Sequence, residues 1–122
     1  MSTVLIVDDD LVREEKLTDF WKRQPITDIV WVTSWPNDFL GYLESHPEIT
    51  HLSLDHDLGS TDGTDVSLEL VKLSNNDYTR FAKAFSNKHI LVHSMNPIGA
   101  KHILYCLEND VASITIVPFY KL

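Results

Sequence analysis

Three short segments of this 122-residue chain concentrate side chains that can do chemistry: Asp8-Asp9-Asp10, Asp55-His56-Asp57 and His93-Ser94-Met95-Asn96. Brought together, Asp8, Asp9, Asp55 and Asp57 would crowd more negative charge into a small volume than stays ionised without a counter-charge. A hard divalent cation with oxygen ligands, Mg²⁺ or Mn²⁺, meets both the charge and the donor type. Only one face of each strand end can look into such a pocket, which predicts Asp9 and Asp55 inside and Asp10 as a helix cap. His56 and His93 titrate near neutral pH, so the pair could divide general-base and general-acid work. A single strand histidine is more often a satisfied core residue; two beside carboxylates point toward catalysis. Ser94, Asn96 and Gly99 shape the start of a helix, where backbone N–H groups and the helix dipole favour an anion. An Asn-Pro cap makes the same turn without any ligand.

The elements that must position these groups alternate along the chain. Thr3–Val7 (TVLIV) is an apolar, β-branched run with no polar alternation, the mark of a strand covered on both faces. Helical spacing of Arg13, Leu17, Phe20 and Trp21 follows Asp10 and ends at Pro25. Strands are predicted over Ile26–Thr33, His51–Leu54, His89–His93 and Ser113–Val117. Between them, helices are predicted with Pro36 as a first residue, at Val66-Leu70-Leu73, through Phe81 and Phe85, and from an Asn96-Pro97 start. Gly59–Gly63 reads as a turn, and Ser74-Asn75-Asn76-Asp77 as a helix break. Strands alternating with helices imply a parallel sheet covered on both faces, an α/β three-layer sandwich. Five strands favour the flavodoxin-like order 2-1-3-4-5, whose ligands lie beyond the carboxyl ends of the strands. All three chemical segments fall there.

Ten Lys and Arg against eighteen Asp and Glu give a net charge of −8. That field disfavours duplex DNA and anionic membranes as partners. Cys106 is the single cysteine, so no internal disulfide forms, as in a reducing compartment. No apolar run reaches membrane-span length, and Met1–Val7 is too short and lacks the basic residues of a signal peptide. The expectation is one cytoplasmic domain over residues 1–122, its oligomeric state left open. His46, His51, His89 and His102 read as solvated or structural. Trp31 and Trp35 fall near strand two; Trp35 either stacks on a nucleobase or covers the sheet edge. Cys106 reads as a small buried hydrophobe.

Val7-Asp8-Asp9, Leu54-Asp55, Asp62-Gly63 and a Ser after strand four together resemble the receiver domains of response regulators. Closer resemblance lies in Leu52-Ser53-Leu54-Asp55-His56-Asp57-Leu58-Gly59, Gly63-Thr64-Asp65-Val66 and Val92-His93-Ser94-Met95-Asn96-Pro97-Ile98-Gly99. Those stretches look like the cyclic-phosphate processing receiver domains, and the element order matches over about residues 3–117. The resemblance implies a receiver-like fold and metal-assisted processing of cyclic phosphates on nucleotides or RNA ends. For that chemistry the residues already singled out supply metal ligands among Asp8, Asp9, Asp55 and Asp57, catalysis by His56, His93 and Asp55, and substrate contacts from Ser94, Asn96 and Gly99. Two departures stand out. Receivers carry a Lys before the Pro that follows strand five, and here Val117 precedes Pro118. The related family commonly has an Arg two residues after its paired aspartates; here that position is Leu11, with Arg13 one step on.

Three functions fit these residues. The first is a phosphoesterase (a phosphodiesterase-type hydrolase) that opens a cyclic phosphate. The second is a non-catalytic binder of cyclic nucleotides. The third is an atypical signalling receiver phosphorylated on Asp55.

Overall fold

Strand β1 covers Thr3–Val7, and all five residues are buried, as an unbroken apolar run requires. The computed structural model describes residues 2–58 and 65–122. The predicted turn at Gly59–Gly63, and with it Asp62 and Thr64 of the quoted motifs, lies outside the described residues. After β1 come a 3₁₀ turn at Leu11–Arg13, α1 (Glu14–Lys22), β2 (Asp28–Val32), α2 (Phe39–Ser45) and β3 (Ile49–Leu54). The second half carries α3 (Val66–Asn76), α4 (Tyr78–Phe85), β4 (His89–Val92), α5 (Pro97–Leu107), β5 (Ser113–Ile116) and a final 3₁₀ turn at Phe119–Lys121.

The five strands form one parallel sheet in the order β2-β1-β3-β4-β5. Alternation along the strands divides the core in two. Leu5, Val7, Leu52, Leu54, Ile90 and Val92 pack with the buried residues of α2 to α5. Val4, Ile6 and Leu91 face the other way, toward Leu17 and Trp21 of α1, with Phe119 and Leu122 packed alongside. Among the described residues the sandwich is therefore unequal: four helices on one face, and one helix with the C-terminal turn on the other. Among the described residues no helix is long and apolar enough to cross a membrane.

Caps settle several boundaries. Asp10 caps the 3₁₀ turn, accepting from the Val12 N–H, and the regular helix begins only at Glu14. Asn96 caps α5 with Pro97 as its first residue. Asp77 ends α3 and caps α4, so the predicted break falls on that one residue. Pro36 does not start α2. Asp38 supplies the cap instead, at a φ of +48° that Asp tolerates better than most side chains, and its carboxylate accepts from the Gly41 N–H.

Candidate functional site

Beyond the carboxyl ends of β1, β3 and β4 lies a cleft of about 440 Å³, lined by Asp9, Asp10, Arg13, Asp55, Asp57, Ser94, Met95 and Asn96. At its base the sequence expectation needs a correction: Asp8, not Asp9, is the buried aspartate. Asp8 is fully enclosed, whereas Asp9 is exposed at the mouth. Strand pleat gives the reason. Asp8 continues the face of Val4 and Ile6, Asp55 that of His51 and Ser53, and His93 that of His89 and Leu91. The three groups leave neighbouring strands on one face and meet.

Asp8, Asp55 and His93 each offer a ligand atom within 4.8 Å of the others. His93 is fully buried, with Nε2 2.9 Å from Asp8 Oδ2 and Nδ1 2.8 Å from Ser53 Oγ. The Asp10 N–H donates to Asp8 Oδ1 at 2.8 Å. Arg13 Nη1 donates to Asp55 Oδ2 at 3.0 Å and to Asp8 Oδ2 at 3.2 Å. The His56 N–H donates to Asp55 Oδ1 at 2.9 Å. These contacts divide the two carboxylates. Burial pushes the Asp8 carboxyl up, but the His93 hydrogen bond, the Asp10 N–H and the charges nearby outweigh it and hold Asp8 below its ordinary range. Burial and the Asp8 charge push Asp55 above the ordinary range despite His93 and Arg13. The two carboxylates are thus moved in opposite directions from their ordinary range, Asp8 down and Asp55 up.

The chemistry of this donor set suits a hard divalent ion. Mg²⁺ typically binds through one or two carboxylates, so Asp8 and Asp55 would be the residues to hold such an ion. The His93 Nε2 is engaged with Asp8 and orients that carboxylate.

The histidines expected to share general-base and general-acid work are buried; His56 is 6% exposed and His93 0%. Neither borders the cleft. His56 Nδ1 lies 3.0 Å from Asp57 Oδ1, and Nε2 lies 3.3 Å from Asp65 Oδ2. Its ring fills the space where a side chain on residue 99 would go: a Cβ there would sit 2.4 Å from the ring. That close approach is why position 99 is glycine. The Gly99 N–H meanwhile donates to Asn96 Oδ1 at 3.0 Å, so the cap takes up the backbone group expected to hold an anion. Ser94 Oγ accepts from the Asn96 N–H at 3.0 Å. Capping commits an acceptor of Asn96 and of Ser94; the Asn96 NH₂ and the Ser94 O–H are donors by type, beside the cleft.

Elsewhere, Trp35 stacks on Phe39 with ring centroids 4.2 Å apart, so it belongs to the core and not to a base-binding face. Cys106 is half-buried with its thiol pushed up by burial, as an inert residue should be. His46 pairs with Glu48. Sequence reasoning missed Ser53, the lone hydroxyl in the apolar end of β3, and it left the role of Arg13 open. Counting by twos from Asp55 would have found Ser53.

A sequence model of the cyclic-phosphate processing receiver domain matches residues 3–109. No curated protein sequence matches the chain. Among solved structures, the receiver domain of the histidine kinase CKI1 from Arabidopsis thaliana, complexed with Mg²⁺ and BeF₃⁻, is similar at a TM-score of 0.62 and 12% identity, covering 97% of this chain and 80% of that one. The CheX–CheY–BeF₃⁻–Mg²⁺ complex from Borrelia burgdorferi matches at a TM-score of 0.54 and 20% identity, covering 95% and 78%. The response regulator RcsB of Salmonella typhimurium matches at 0.56 and 14%, covering 94% and 52%. At these identities the likeness concerns the fold.

Proposed function

The chain belongs to the cyclic-phosphate processing receiver domain family, and from that premise we propose that it is a metal-assisted phosphoesterase opening a cyclic phosphate on a nucleotide or an RNA end. The observation that carries this reading is the pairing of two buried carboxylates, Asp8 and Asp55, at the base of a cleft that is open to solvent.

A cyclic phosphodiester is a monoanion, and bare carboxylates repel it. A divalent ion held by Asp8 and Asp55 would reverse that sign and draw off the charge that builds on the phosphoryl oxygens. His93, clamped between Ser53 and Asp8, fixes the Asp8 carboxylate and keeps it ionised. Ser94 and Asn96, which line the same cleft, would orient the phosphate. Asp57 lines the cleft and lies 3.0 Å from His56 Nδ1; in this reading it is the base for the attacking water. The two histidines then act through carboxylates, as positioning residues.

The receiver reading is weaker on this site. Both Asp55 oxygens are engaged, Oδ1 by the His56 N–H and Oδ2 by Arg13. Val117, where receivers carry Lys, offers an added phosphoryl group no charge.

The test is a panel of 2′,3′- and 3′,5′-cyclic nucleotides incubated with and without Mg²⁺ or Mn²⁺. The expected result is metal-dependent release of the monophosphate from at least one of them. Asp55→Asn should abolish turnover together with any Mg²⁺-induced rise in Tm. Asp57→Asn should keep that rise and lower the rate about 10²–10⁴-fold. Tight binding without turnover under every metal would replace the enzyme by a sequestering binder. A near-stoichiometric acetyl-phosphate adduct on Asp55, seen by intact mass, would favour the signalling module.

A further inference from the structure

One guanidinium nitrogen touches both carboxylates of the cluster. Arg13 Nη1 lies 3.0 Å from Asp55 Oδ2, 3.2 Å from Asp8 Oδ2 and 3.5 Å from Asp8 Oδ1. It therefore stands where a cation shared by those oxygens has to stand. We infer that Arg13 is a tethered cation that closes the metal position from within, and that a divalent ion binds only by displacing it. This rests on the metal reading given above and adds to it a competitor built into the chain.

Three features make the occupant exchangeable. First, the contact is not the two-pronged fork by which Arg holds a carboxylate most firmly, because a single nitrogen is shared between two acids. Second, charge remains unbalanced with Arg13 in place. Asp9, Asp10, Asp55 and Asp57 line the cleft, Asp8 lies beneath it, and among the described residues Arg13 is the one basic residue in the lining. A doubly charged ion answers that deficit better than one guanidinium. Third, the side chain has somewhere to go. Its exposure is 22%, it ends the 3₁₀ turn before α1, Nε already lies 3.6 Å from Asp10 Oδ2, and the guanidinium carbon is 5.6 Å from the Phe119 ring centroid. Asp10 and Phe119 are landing points outside the metal position. Loss of the two inner contacts on metal binding thus costs less than stranding a charge in the core.

The consequence is a weakened apparent metal affinity, since only the fraction of molecules with Arg13 withdrawn is competent to bind. Calorimetric titration of Mg²⁺ and Mn²⁺ into the full chain tests this, with Arg13→Gln and Arg13→Lys beside the wild type. Arg13→Gln should bind about tenfold more tightly, as removal of a block leaving about one molecule in ten competent would give. Arg13→Lys, which keeps the charge without the same reach, should fall between and guards against a poorly folded Gln variant. Without metal, Arg13→Gln should melt below the wild type, and saturating Mg²⁺ should close that gap. Wild-type binding with equal or weaker binding by Arg13→Gln would overturn the competition and leave the metal site standing. No binding by any of the three would overturn both.

Discussion

Strands β3 and β4 carry a histidine toward each of their two ends, and the surroundings of the four rings differ sharply. At the amino end His51 and His89 stack on one another with centroids 5.0 Å apart. Their Nδ1 atoms lie against hydroxyls, Thr50 Oγ1 at 2.7 Å and Ser113 Oγ at 2.8 Å. At the carboxyl end His93 is enclosed between Ser53 and Asp8, and His56 sits between Asp57 and Asp65. Residue type is the same; the strand end is not. Parallel strands deliver every loop that enters a helix to one edge, and in this chain those loops carry the acids. There His56 and His93 brace carboxylates, while at the other edge His51 and His89 find one another.

The largest effect expected from breaking this contrast is on stability. His93→Ala leaves Asp8 buried with one partner fewer and empties a volume between two strands. It should lower the unfolding free energy by about 2–4 kcal/mol in chemical denaturation. His51→Ala removes an edge contact with Trp21, centroids 5.8 Å apart, and should cost about 1 kcal/mol or less. Equal losses would erase the distinction between the two ends.

Of intermediate size is overpacking at the carboxyl end. Gly99→Ala drives a methyl into the His56 ring and should cost about 1–3 kcal/mol. Adding His56→Ala should recover part of that loss in a double-mutant cycle, because the two changes share one space. Simple additivity would show that the ring is not what fills the glycine's place.

The smallest effect sharpens the amino end. Burial first, and the His89 charge second, hold the His51 imidazole below its ordinary value of 6.5. A depressed value means that the folded protein prefers the neutral ring. Its contribution is complete above the unfolded value and is lost as pH falls through the folded one. Thermal melts between pH 7.5 and 5.5 should therefore show a modest fall toward acid that His51→Asn flattens. A slope unchanged in that variant would place the pH dependence elsewhere.

Much of this was readable from residue order. The unbroken Thr3–Val7 run demanded a central strand, and Asn96-Pro97 marked the start of α5, because both signals are local. The convergence of three acidic or basic segments followed from strand order alone. What escaped was long-range. Whether Asp8 or Asp9 turns inward depends on how far the pleat persists past Val7, and it persists one residue further than the end of the strand. Pro36 matched a helix start, but Asp38 made the better cap two residues later. The contact of Arg13 with Asp55 spans 42 positions, so no local pattern could announce it.

Strand β1 also has a bearing on how the chain is made. Its five buried residues lie between β2 and β3, so both edges need partners. During synthesis β2 becomes available first, and β3 only after a further stretch that takes roughly one to four seconds at ordinary ribosomal speeds. Through that interval a segment that is apolar but for Thr3 presents an open edge that invites pairing with other nascent chains. Its inward positions cannot carry the charges that usually discourage such pairing, because the finished sheet buries both faces. Yield in a cell should therefore depend on translation rate and on chaperones that shield Thr3–Val7 until Leu54 has emerged.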